Sequence, residues 1–133
     1  MQKLVIIWGS ILLLAACNNT HQNTSDLSLN NGEKWKVNAE MKPHIEQENQ
    51  ILNNYLAQNE TNYQELAEAL KRDNNNLIKS CTMTGESHEE LHKWLHPHME
   101  LLEQLSTAKD LTAAKGVIAQ IEESFKTYHN YFE

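Results

Sequence analysis

Apolar residues recur at three- and four-residue intervals from about residue 33 onward, the spacing of one helix face and not the alternation of a strand. The first such segment covers residues 33–58, with Val37, Met41, Ile45, Leu52, Tyr55 and Leu56 on its apolar side. Pro43 falls inside it, so a kink or a start nearer Pro43 is expected. The second covers residues 61–80, with Asn59 or Thr61 as N-cap. Its stripe is Tyr63, Leu66, Ala67, Leu70, Leu77 and Cys81, interrupted by Asn74. The third begins after Gly85, where Ser87 and Glu90 have the spacing of a capping box. Its stripe reads His88, Leu91, His92, Leu95, Met99 and Leu102. The fourth covers residues 110–132 and turns Leu111, Ala114, Ile118, Ile121, Phe125, Tyr128 and Phe132 inward. Short links imply antiparallel neighbours. The pattern predicts an all-α domain over residues 33–133, an antiparallel up-down-up-down four-helix bundle without longer repeats.

The N-terminus has a different character. Met1-Gln2-Lys3 carries one positive charge, and an apolar run over residues 4–16 follows, broken only by Gly9 and Ser10. A spanning helix needs roughly 20 apolar residues, so this run reads as a signal peptide. Its end, Leu14-Ala15-Ala16-Cys17, resembles the lipobox of bacterial lipoproteins. That resemblance implies removal of residues 1–16 and acylation of Cys17 with palmitate-type chains. Two or more chains anchor a protein stably where one does not. Asn18 after the Cys favours the outer membrane over the periplasmic face of the inner membrane. Residues 17–32, rich in Asn, Ser and Thr, read as a flexible linker from the lipid to the bundle.

Charge narrows the partners. The net charge of −7 argues against nucleic acid and against electrostatic docking on anionic lipid. The cysteines number two, and lipid consumes Cys17. Cys81 is then alone in a compartment where disulfides form. Such a thiol calls for burial, a metal, an intermolecular bridge or redox chemistry. No phosphate-cradling glycine loop and no Ser/His/Asp spacing points to catalysis, and a non-enzymatic binding protein is expected.

The stretch from Cys81 to His92 carries the most chemistry. His88 and His92 leave the same helix face one turn apart, the spacing of a two-imidazole chelate. Their place on the stripe of Leu95, Met99 and Leu102 points them toward the bundle axis, with Glu89, Glu90 and Lys93 opposite. Antiparallel packing brings the start of the first helix and the end of the fourth to the same end, where Trp35, Met41, Tyr128 and His129 lie. Cys81, His88 and His92, with Met83 or His129, thus form a candidate metal site. Thiolate, thioether and imidazole donors suit copper(I) or zinc, whereas carboxylates lying mostly elsewhere argue against calcium or magnesium. His44, His96 and His98 fall at the edges of their faces, His96 on the surface, and Trp94 beside the stripe is read as packing. His88-Glu89-Glu90-Leu91-His92 also matches the HExxH pattern of zinc peptidases. Glu89 points about 100° away from His88 and no sheet is available to hold substrate, which argues against that activity.

The last helix offers an alternative. Phe125-Lys126-Thr127-Tyr128-His129-Asn130-Tyr131 resembles the final helix of four-helix b-type cytochromes. That resemblance implies haem b held by Met41 near the start of the first helix and His129 near the end of the last. The absence of CxxCH excludes covalent haem. Trp35-Lys36-Val37-Asn38 and Cys81-Thr82-Met83-Thr84-Gly85 with the His pair resemble uncharacterised small helical lipoproteins of Gram-negative bacteria, which implies no particular activity. The expected function is a cell-envelope lipoprotein that binds copper or zinc. The competing expectations are a structural or protein-interaction module with an envelope partner, and the b-type electron carrier. Cys17→Ala should abolish incorporation of labelled palmitate into the expressed chain; undiminished labelling would exclude a lipid at this residue.

Overall fold

The computed structural model describes residues 26–133. Within them the chain forms α1 (Lys42–Ala57), α2 (Tyr63–Lys79), α3 (Glu86–Ser106) and α4 (Leu111–Tyr131), the expected four-helix bundle. The expected signal peptide at 1–16, the expected lipidation at Cys17 and the linker expected up to residue 25 lie outside the described residues. α1 packs on α2, α2 on α3 and α3 on α4, while α1 and α4 approach less closely. That open seam holds two clefts. One, of about 240 Å³, is lined by Tyr55, Leu56, Ile118 and Ala119 among others. The other, of about 190 Å³, lies between Ile45 and Glu46 on one side and Tyr128 and His129 on the other.

α1 starts at Lys42 and not near residue 33, because Pro43 occupies its first turn, where a missing N–H leaves no bond unmade. Val37 and Met41 still enter the core, but from a non-helical strap. The strap pairs with the C-terminus. Trp35 N–H donates to Tyr131 O at 2.8 Å, Glu133 N–H to Trp35 O at 2.9 Å, and Val37 N–H to Glu133 O at 2.9 Å. Farther upstream the Ser28 N–H donates to the Glu90 carboxylate, so residues 26–32 fold back on the bundle.

The other helix starts have local causes. Asn62, not Asn59 or Thr61, caps α2. Its side chain accepts from Glu65 N–H at 3.3 Å and donates to Glu65 Oε2 at 3.0 Å. Asp110 caps α4 by accepting from Ala113 N–H at 2.8 Å. The capping box expected at Ser87 and Glu90 does not form. Gly85, at φ 71°, is the N-cap, and such a φ is one that glycine tolerates without Cβ strain. Ser87 Oγ instead donates to Thr84 O, and Glu90 is engaged by Ser28 and Lys93.

Asn38 of the strap ties down the α2–α3 turn. It donates to Ser80 O at 3.0 Å and accepts from Thr82 N–H at 3.2 Å. The strap, the turn carrying Cys81 and the chain's C-terminus therefore gather at one end of the bundle. Asn38→Ala removes both bonds and should lower stability by about 1–2 kcal/mol with helicity retained. Urea unfolding followed by circular dichroism measures this; an unchanged midpoint would show that the strap does not hold the turn.

Candidate functional site

All four apolar stripes are broken by a buried polar residue: Glu48 on α1, Asn74 on α2, His98 on α3 and Ser124 on α4. Three of them are bonded in a row. His98 Nε2 lies 3.3 Å from Glu48 Oε2, and His98 Nδ1 lies 2.9 Å from Ser124 Oγ. The His98 ring is fully enclosed, stacked on Trp94 with ring centres 4.8 Å apart and edge-on to Phe125. Trp94 Nε1–H donates to Ser124 O at 2.8 Å, which fixes the stack.

Burial disfavours the charged form of each partner. It pushes Glu48 up to about 9, helped by Asp73 and opposed by His44. It pushes His98 down to about 3. The pair is therefore a carboxylic acid beside a neutral imidazole and not an ion pair. An acid proton on Oε2 donates to Nε2, and Nδ1–H then donates to Ser124 Oγ, so both ring nitrogens are satisfied without net charge. Among the described residues Glu48 Oε1 and Asn74 Oδ1 have no hydrogen-bond partner. The three bonded residues have the order of a hydrolase triad, but Glu48, His98 and Ser124 are all closed off from substrate.

The inward setting of His98 fixes the rest of α3. At about 100° per residue, Leu91, Leu95 and Leu102 fall within about 60° of His98, whereas His88 lies about 80° away, His92 about 120° and His96 about 160°. Accordingly His88 and His92 are half-buried and His96 is exposed. The expectation that His88 and His92 continue the core stripe is corrected, as is the place given to Met99, which is exposed. His98, expected at a face edge, is the core histidine. Glu90, expected opposite the core, is buried. Burial works against its charge, but Lys93 and Ser28 outweigh that and hold its pKa below the usual range.

The imidazoles of His88, His92 and His96 form a row along the flank of α3. Ring centres lie 4.3 Å apart for His88 and His92 and 4.9 Å for His92 and His96. Burial and its two neighbours hold the His92 pKa below normal, which favours the neutral ring that binds metals. Cys81 is a half-buried free thiol, and Cys81 and Met83 pack against the edge of the core. His129 is exposed on α4, where its Nε2 accepts from Asn49 Nδ2 at 3.4 Å. Among the described residues no three His, Cys, Asp or Glu side chains stand close enough to hold one metal ion. Cys81 and His129 thus do not close a cluster around the His pair in this conformation. Met41 is fully enclosed in the core and does not line the cleft beside His129.

No family model matches the chain, and no curated protein or solved structure matches it.

The bonded triplet escaped the reading of the stripes, yet a signal exists. The α1 stripe leaps from Ile45 to Leu52, and Glu48 fills the missing helical position between them. His98 sits seven residues from both Leu91 and Leu105, the spacing of one helix face.

The pair sets the pH dependence of stability. Between its ordinary value of 4.5 and its folded value of about 9, Glu48 keeps a proton that the unfolded chain has lost, so stability falls as pH rises through that window. Between 6.5 and about 3 the unfolded chain protonates His98 first, so stability falls as pH drops. The two slopes cancel between 4.5 and 6.5, where stability should be flat and highest. Above that plateau the loss should approach about 1.4 kcal/mol per pH unit. Glu48→Gln should remove the alkaline decline and keep the acid one. Urea midpoints across pH 4 to 9 check this; an alkaline decline surviving in the variant would show that the buried Glu48 acid is not its source.

Proposed function

We propose that this chain is a lipid-anchored module of the bacterial cell envelope that captures a transition-metal ion and performs no catalysis. The observation that carries this reading is the His88–His92 pair. The two imidazoles lie one turn apart on one flank, half-buried, with ring centres 4.3 Å apart at the start of α3. Neutral imidazoles suit zinc and copper alike. Cys81 and Met83 lie on the preceding turn, and would add a thiolate and a thioether, a donor set that favours copper(I), were the turn to close on the pair. Anchoring through Cys17 places the module on a membrane, the outer one by the preference of Asn18, where it holds or hands on copper or zinc.

The open α1–α4 seam favours a second reading, a helical module that docks an envelope partner. Metal binding separates the two. The purified chain should bind one equivalent of zinc or of copper(I) kept reduced, and a His88→Ala, His92→Ala variant that remains helical should lose it. Retention of wild-type affinity in that variant, measured by competitive titration, would refute the metal reading and leave the docking module.

A further inference from the structure

We infer that His96 belongs to the metal site, and that His92 and His96 form a two-imidazole chelate for a divalent ion of the copper(II), nickel(II) or zinc class. The inference rests on the metal reading above and changes its ligand set.

The argument is geometric. An ion held by an imidazole nitrogen at ~2.0–2.1 Å sits about 3.2 Å from the ring centre. Two rings meeting at one ion, at angles between square and tetrahedral, therefore have centres roughly 4.5–5.2 Å apart. His92 and His96, at 4.9 Å, fall inside that window; His88 and His92, at 4.3 Å, fall just short of it. His92 takes part in both pairs, so the row offers two overlapping chelates, of which the outer is the better spaced. No sulfur donor is needed by the outer pair. An all-nitrogen set favours oxidised, divalent ions over copper(I).

Accessibility and charge agree with this assignment. His96 is exposed and His92 half-buried, so an ion enters from solvent at His96. Lys93 is the sole Lys or Arg of α3. Its ammonium is held by Glu90 at 2.7 Å and by Asp26 O at 3.2 Å, on the other flank of the helix. A metal bridging positions one turn apart also clamps the helix, so binding raises the melting temperature.

The test uses the full chain in detergent with copper(II) alone as the probe, read by thermal melting and by the nitrogen hyperfine pattern of its electron paramagnetic resonance spectrum. His96→Ala is a surface change to a better helix former and leaves the fold intact. It should weaken copper(II) at least about tenfold through loss of the better-spaced chelate and reduce the thermal shift accordingly. His88→Ala should weaken it less than about threefold, since the better-spaced chelate survives. A Cys81→Ser, Met83→Leu variant should leave affinity and spectrum unchanged. Wild-type binding in His96→Ala, or collapse in either of the other two variants, overturns the chelate while leaving the metal reading standing. Wild-type binding in a variant with all three histidines replaced by Ala defeats both.

Discussion

Glu48 and His98 meet at 3.3 Å inside a core that excludes solvent, and the alignment of the helices has to preserve that meeting. It joins α1 to α3 across the bundle, and the bond from His98 to Ser124 brings in α4. Leucine contacts repack when helices slide, at modest energetic loss. The polar row does not. A slip of α3 by one turn, about 5.4 Å, strands a carboxyl, a ring nitrogen and a hydroxyl. Each costs about 1–3 kcal/mol when buried without a partner. The apolar stripes drive the helices together, and the polar row selects which alignment they adopt.

The same row fixes the rotation of α3. With His98 inward and stacked on Trp94, the helix has a flank toward α4, marked by the Trp94–Ser124 bond, and a flank toward α2, marked by the Lys71–Glu103 ion pair. His88, His92 and His96 fall on the α2 flank. They are near enough to the core for burial to lower the His92 pKa, and far enough from it to meet solvent. A core histidine thus positions three peripheral ones without touching them.

Fold class, helix number and the extent of α2 and α4 were legible because those stripes are unambiguous: Leu66, Leu70 and Leu77 on one, Ile118, Ile121, Phe125 and Tyr128 on the other. The phase of α3 was not. Leu and His alternate along it so that two faces about 100° apart have similar apolar content, and the choice between them depends on Glu48 and Ser124, which belong to other helices. The start of α1 was open for a related reason. Val37 and Met41 keep the helical spacing, but backbone pairing between Trp35 and the C-terminus holds their segment as a strap. The Ser87–Glu90 capping box failed because Ser28 and Lys93, one distant in sequence, compete for the same carboxylate. The α3 phase and the α1 start were missed because partners distant in sequence outweigh the local signal.

The strap bears on access to the candidate site. Residues approaching from the N-terminus meet α3 at Glu90 and Lys93, which lie about 80° and 140° from His98 on the side opposite the His row. Ser28 and the Asp26 carbonyl engage those two residues, and Asn38 then pins the α2–α3 turn at the bundle end. Among the described residues, the segment from residue 26 onward therefore covers one flank of α3 through Glu90 and Lys93. The flank occupied by residues 26–28 is closed to a second ligand, whereas the flank toward α2 carries the exposed His96. Placing the three imidazoles on the side opposite Glu90 and Lys93 makes the proposed lipid anchor compatible with a site that solvent ions reach.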